Sequence, residues 1–387
     1  MKKLLAVMFK STLCVFFGLS ISACEHQQEV ERPPTELQFG WHYQRMVNNL
    51  FAGNGRIIDR SDSRLITTSE GQSYAMFFAL IANDEARFEQ LYKWTEDNLS
   101  RGQLSQNLPA WLWGEAATDD WRIIDENPAS DADLIIAYTL IQAGMLWNKP
   151  RYIATGELLA DLILRNETKE LGGVRVLLPA PYGFDSDTKL TLNPSYYAIP
   201  MIDFLYRHTK DTRWQDVYQG IVPVFEAHPQ EYVSDWITLN TDWSLATEQQ
   251  SAADYDAIRA YFWLALEAQR GGQHAHLVGQ FDGIAKSIQS TGQVPEVVEW
   301  QTGDISGQAN IGFHAILLPY IESTYPGGMR LQTARVLAVD PGEYSDNYYS
   351  LMLVLFGIGH KSCYEFKKDG SLVVNWDRDW CDVNSNN

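Results

Sequence analysis

The chain has 387 residues, 45% hydrophobic and 20% charged, enough for one large core or two smaller ones. Its formal net charge of −19 argues against nucleic acid, whose phosphates it would repel, and suits a neutral substrate. No Gly-x-Gly-x-x-Gly, P-loop, Gly-x-Ser-x-Gly or His-Glu-x-x-His string occurs, and the eight histidines are scattered without zinc-site spacing. Hydride, phosphoryl and serine-hydrolase chemistry have no visible parts here, and no metal or cofactor is expected.

Residues 1–24 read as a targeting segment. Lys2, Lys3 and Lys10 precede an apolar stretch, Leu13 to Ile21, that is short for a membrane span. The stretch ends in Ile21-Ser22-Ala23-Cys24, like a bacterial lipobox, which predicts a lipidated Cys24 at the mature N-terminus. An ordinary secretory signal with a chance cysteine is the alternative. Cleavage before Cys24 removes three lysines and no acids from a charge of −19, leaving −22. Residues 25–36 are polar, contain Pro33-Pro34 and read as a tether; residues 37–387 read as one catalytic domain. Cys363 and Cys381 then have only each other as intramolecular partners, and an exported chain meets an oxidising compartment. A disulfide between them is expected, with two free buried thiols as the alternative.

Most of the domain carries apolar residues at helical spacing. The predicted helices are 71–82, 85–99, 131–147, 152–165, 194–209, 214–227, 256–270 and 276–290. Asn83-Asp84 and Asn148-Lys149-Pro150 break consecutive helices sharply, so the chain reads as antiparallel helix pairs. Their wide apolar faces call for partners on more than one side. A two-layer ring of helices satisfies that, and a simple bundle competes. Strand signals are few; the clearest is a hairpin of 364–367 and 371–376 turning at Lys368-Asp369-Gly370.

Three acids recur where a loop enters an apolar helix: Glu70 in Thr67-Thr68-Ser69-Glu70-Gly71-Gln72-Ser73-Tyr74, Asp131 in Ala129-Ser130-Asp131-Ala132-Asp133, and Asp256 in Asp254-Tyr255-Asp256-Ala257-Ile258-Arg259. Ser69, Ser130 and Asn193 suit N-caps, and Pro194 suits a first helical position. Capping is the competing reading for any one acid alone. In a ring of helix pairs the inner helices can all begin at one rim, so these acids would line one cleft. Paired carboxyls in a cleft are what glycosidic hydrolysis needs: one protonated, one ionised. Arg259 lies three residues after Asp256, on the same helix face, and should keep Asp256 charged, which suits a general base. Glu70 has only Ser73 and Tyr74 at those offsets and should sit among neutral groups, which suits a general acid; Asp131 is its candidate neighbour. Asp133 and Asp254, two residues from Asp131 and Asp256, should point elsewhere.

The chain carries 13 Trp and 19 Tyr, and flat sugar C–H faces stack on such rings. Leu108-Pro109-Ala110-Trp111-Leu112-Trp113-Gly114 is aromatic and non-periodic, like a cleft wall. Trp111 and Trp113 are therefore the candidate sugar platforms, with core packing as the alternative for each.

These strings together resemble glycoside hydrolase family 8, and within it the periplasmic endoglucanases encoded alongside bacterial cellulose synthases. The likeness runs from about Trp41 to Trp376 and includes Leu192-Asn193-Pro194-Ser195-Tyr196; Thr139 stands where the family signature carries Ser or Ala. The resemblance implies an all-α (α/α)6 barrel with a few short strands and inverting hydrolysis of β-1,4-glucan. It implies Glu70 as general acid, Asp256 as general base, and Asp131 on the sugar at the cleavage point. Tyr196 would help hold the attacking water, and Arg259 would orient Asp256. The lipobox is less expected for this likeness. It suggests an enzyme anchored by lipid on the periplasmic face of a membrane, with Glu25 after the cysteine favouring the outer membrane. A soluble periplasmic or secreted form is the alternative. The expected role is trimming cellulose during synthesis or export, in contact with a cellulose synthase complex. The alternatives are chitosan, xylan or mixed-linkage glucan as substrate, and an inactive glycan-binding or scaffolding subunit.

Overall fold

The computed structural model describes residues 33–383 apart from residues 230, 251 and 345. The targeting segment, Cys24 and residues 25–32 of the tether lie outside the described residues. Among the described residues there are fourteen α-helices: α1 (Phe39–Asn49), α2 (Ser69–Ile81), α3 (Glu85–Leu99), α4 (Ser130–Leu146), α5 (Pro150–Asn166), α6 (Ile199–Thr209), α7 (Thr212–Glu226), α8 (Ala257–Gln269), α9 (Leu277–Gln280), α10 (Gly283–Thr291), α11 (Ile311–Ile316), α12 (Leu318–Thr324), α13 (Met329–Ala338) and α14 (Tyr348–Gly359).

The helices are of two kinds. Most side chains of α2, α4, α8 and α14 are buried around the whole helix, whereas α3, α5 and α7 bury one face. A helix apolar all round needs neighbours on every side. The two kinds form concentric layers. α2 packs on α4, α4 on α6, α6 on α8, α8 on α11 and α12, α11 on α14, and α14 returns to α2, closing an inner ring of six positions. Outside it, α3, α5, α7, α9, α13 and α1 pack on α2, α4, α6, α8, α11 and α14 in turn. This is the expected (α/α)6 barrel.

Local chemistry sets the boundaries. Pro150 opens α5 at its first position, where its missing N–H costs nothing. The predicted helix from 276 is two pieces, α9 and α10, and the one from 194 is a 3-10 turn, Pro194–Tyr196, followed by α6. Helices α1, α11, α12, α13 and α14 escaped the periodicity reading.

Short strands are more numerous than expected, fourteen in six small sheets among the described residues. One hairpin, Leu112–Ala117 with Asp120–Asp125, absorbs part of the segment read as a cleft wall. The C-terminal hairpin pairs Tyr364–Phe366 with Leu372–Val374. Its turn needs glycine twice over: Gly370 has φ +80°, and a Cβ there would lie 2.2 Å from the Pro200 carbonyl oxygen. Cys363 and Cys381 are joined by a disulfide, Cα–Cα 5.4 Å, beside the point where the Trp380 carbonyl accepts the Gly40 N–H of α1.

Candidate active site

The inner helices deliver their first turns to one place. Thr68 caps α2, its hydroxyl accepting the Gly71 N–H at 3.0 Å, so Glu70 sits in the first turn. Ser69 and Ser130, expected as caps, are instead the first helical residues, and only Asn193 caps as expected, through the Ser195 N–H. The reason lies outside the helices. The Ser69 and Ser130 N–H groups donate to the Trp111 and Pro179 carbonyls, which holds each chain extended up to the helix start. Asp256 precedes α8 without capping it.

Arg259 stands at the centre. Its Nη1 donates to Glu70 Oε2, to Tyr74 Oη at 2.5 Å and to Asp131 Oδ2 at 3.2 Å. Its Nη2 donates to Asp256 Oδ1 at 2.6 Å and Ser195 Oγ at 3.2 Å. One guanidinium thus joins α2, α4, the 194–196 turn and α8. The side chains of Arg259 and Asp131 are 4% and 6% exposed, while those of Glu70 and Asp256 are 21% and 28% exposed. Glu70 and Asp256 face the opening above a buried Arg259–Asp131 floor. None of the three acids caps its helix by the usual bond to the second or third N–H; Asp131 Oδ1 takes the adjacent Ala132 N–H at 2.8 Å.

This geometry changes the basis on which the acids were told apart. The expectation gave the cation to Asp256 alone and left Glu70 among neutral groups. Arg259 reaches Glu70 as directly as it reaches Asp256, and the other Glu70 oxygen accepts the Tyr348 hydroxyl at 2.7 Å. Helical spacing shows only the partner at i+3; the partners 128 and 189 positions away come from the ring. Burial raises the Asp131 carboxyl to about 7, with Arg259 pulling down and Glu70 pushing up. Burial likewise raises Asp256, against the pull of Arg259. Burial alone would lower the Arg259 guanidinium, but the surrounding Tyr349, Tyr74, Glu70 and Asp256 hold it well above its usual value. The Tyr196 phenol, raised by burial, has its ring 5.8 Å from the guanidinium carbon and edge-on to Trp236 at 6.0 Å.

The two tryptophans differ. Trp113 is stacked on Trp121 at 5.4 Å, met by the edge of Trp94 at 5.4 Å and covered by Arg56 at 4.4 Å. Its ring is engaged in packing, the alternative weighed for it. Trp111 is half-buried, and its backbone bonds both Ser69, next to Glu70, and Asn127.

Several contributors were missed. Tyr348 carried a readable signal, because Asn347 caps α14 through the Ser350 N–H as other caps do. Gly71 makes room for it: a Cβ there would sit 2.9 Å from the Tyr348 ring. Asn193 Nδ2 donates to Asp256 Oδ2 at 3.0 Å. Asp235 Oδ1 accepts the N–H groups of Asp254 and Ala257, each at 2.8 Å, and so pins the loop on both sides of Asp256. Burial, with Asp254 and Asp256 adding, raises Asp235 to about 8.

Asp133 points away from Arg259, as its spacing predicts, and is fully buried beside Glu167. Burial raises both carboxyls well above the usual range; at Asp133 the nearby Glu167 and Asp131 add to it, and at Glu167 the hydrogen bond with Asp133 opposes it while the Asp131 charge adds. A raised carboxyl pKa stabilises the fold below about pH 4 and loses that stability as pH rises toward the folded value. The Asp133→Asn/Glu167→Gln variant should therefore gain stability relative to the parent as pH rises from 5 to 8, by up to about 1.4 kcal/mol per pH unit for each carboxyl that stays protonated in the fold, read by urea unfolding. Parallel stability–pH curves would show that the pair does not titrate this way.

Residues 14–363 match the family model described as glycosyl hydrolases family 8. The chain belongs to glycosyl hydrolase family 8. It is 36% identical over 339 residues to a protein of Escherichia coli O157:H7 named endoglucanase, covering 86% of this chain and 90% of that one. A Xanthomonas axonopodis pv. citri protein of the same name is 34% identical over 84% of this chain and 86% of its own. The crystal structure of the endo-1,4-D-glucanase from Vibrio fischeri ES114 superposes with a TM-score of 0.81 at 36% identity, covering 87% of this chain and 99% of that one. Family 8 membership makes the chain a glycoside hydrolase, and the acids around Arg259 are the chemical equipment such an enzyme requires.

Proposed function

We propose that this family 8 enzyme is an endo-β-1,4-glucanase that inverts the anomeric carbon. The observation that carries the reading is the single guanidinium shared by Glu70, Asp131 and Asp256, with the outer two acids turned to the opening. The relatives named endoglucanase support the substrate. Glu70 gives its proton to the glycosidic oxygen as the C1–O bond breaks. Asp256 takes a proton from the water whose oxygen forms the new bond at C1. Asp131 holds hydroxyls of the sugar at that point, and Tyr196 lies beside Arg259 where the water is held. One cation among three carboxyls leaves an excess of negative charge, so the cluster retains a proton near neutral pH. Glu70 and Asp256 bond different nitrogens of Arg259, and inversion requires room for a water between the two carboxyls.

Proton NMR of the first product from soluble cello-oligosaccharides tests this. Initial α-anomer is expected. Initial β-anomer would overturn inversion, and intact cello-oligosaccharides would overturn the substrate in favour of chitosan or xylan.

The Ile21–Cys24 string supports a lipid anchor at the periplasmic face of a membrane, and through it a role in trimming cellulose as it is made or exported. Cys24→Ala should move the enzyme from the membrane to the soluble fraction. Unchanged sedimentation with membranes would end the anchor proposal.

A further inference from the structure

A second hollow, about 600 Å3, opens beyond the Trp111 segment. Its lining includes Leu162 and Asn166 of the outer helix α5, Asn107, Asn127 and Tyr182. The backbone at Trp111 bonds Ser69 on one side and Asn127 on the other, at 3.0 and 2.9 Å. At about 4.8 Å per strand-like step, Asn127 lies about 10 Å from the start of α2. The hollow is therefore separated from Glu70 by the Trp111 backbone.

Four of its polar side chains are carboxamides, those of Gln106, Asn107, Asn127 and Asn166. Asn107, Asn127 and Asn166 each donate their amide N–H2 to a backbone carbonyl, of Ser100, Tyr182 and Leu162, at 3.3, 3.1 and 2.7 Å. Those bonds fix three carboxamides, and the Asn127 Oδ1 is buried without a partner among the described residues. The charged residues of the lining, Arg101 and Glu126, pair with each other at 3.3 Å. Tyr182 is 74% exposed, an aromatic face open to solvent. Neutral carboxamides offer an acceptor oxygen and N–H donors together, which suits hydroxyl groups, and an open phenol ring stacks on C–H faces. A neutral polyol with an apolar face meets both requirements.

We infer that this hollow is a second glucan-binding site, which holds glucosyl units of the polymer apart from the bond being cut. The inference rests on the β-1,4-glucan reading above. Holding polymer at a second point raises the effective concentration of chain at the cleft without touching the chemistry. Tyr182→Ala, an exposed change, should raise KM for neutral hydroxyethyl cellulose about three- to tenfold and leave kcat/KM on cellotetraose unchanged. Cellobiose titrated into the Glu70→Gln enzyme should move the side-chain amide NMR signals of Asn107, Asn127 and Asn166. Asn166→Ala should weaken that response at the remaining two. Unmoved amides, or a Tyr182→Ala enzyme with parental KM on the polymer, would overturn the site. Amides that respond in an enzyme that cuts no cello-oligosaccharide would uphold the site and sink the hydrolytic reading instead.

Discussion

Replacing Arg259 by methionine is expected to destabilise the fold by about 3–5 kcal/mol at neutral pH and to reduce hydrolysis to background. The side chain is 4% exposed and is the cation shared by Glu70, Asp131 and Asp256. Without it Asp131 in the buried floor faces Glu70 and Asp256 above it with no cation shared among them. The molecule can relieve that only by taking up protons. Asp131, already raised to about 7 by burial, would take one more firmly, so the deficit should grow as pH rises from 5 to 8. Arg259→Lys separates charge from geometry. An ammonium restores the charge but cannot reach both sides of the fork, where Nη1 serves Glu70, Tyr74 and Asp131 while Nη2 serves Ser195 and Asp256. The lysine enzyme should recover part of the stability and little of the activity. Urea unfolding at both pH values decides the matter: a methionine variant within about 1 kcal/mol of the parent at pH 8 would mean that Arg259 is not the cation on which this floor depends.

Glu70→Gln and Asp256→Asn should each lower hydrolysis of native polymer by ~10²–10⁴-fold or more, with the unfolding midpoint close to that of the parent. Both side chains reach the opening, and each amide keeps one acceptor oxygen for Arg259. The two roles are then told apart by the leaving group. An aryl cello-oligosaccharide with an acidic phenol needs no protonation to depart. Glu70→Gln should regain most of its loss on that substrate, and Asp256→Asn should not. Recovery in the Asp256 variant alone would exchange the roles. Near-parental activity of either variant on polymer would remove that residue from the chemistry. A folded Glu70→Gln protein that cuts nothing but retains its biological role would revive the scaffold alternative.

The helix pairs could be read along the chain because each is a local matter. Asn83-Asp84 and Asn148-Lys149-Pro150 end one helix and begin the next within a few residues, and the observed breaks fall there. Carboxyls at helix entrances were legible for the same reason. So was the separation of Asp131 from Asp133, which follows from helical geometry alone. Helix α14, as buried on every side as α2 and α4, was not read, and Tyr348 went unread with it.

The partition of contacts around Arg259 was beyond local reading. Spacing supplied Asp256, three residues away. It could not supply Glu70 or Asp131, which reach Arg259 only because α2, α4 and α8 belong to one ring closed by the packing of α14 on α2. The same holds for Trp113, whose ring faces were assigned by Trp94, Trp121 and Arg56 from three other segments. Dihedral preference, capping and periodicity act over three or four residues and specify which groups this chain has and where each helix starts. Which of those groups share a charge, a proton or a ring face depends on how distant helices close, and that is settled by burial of their apolar sides.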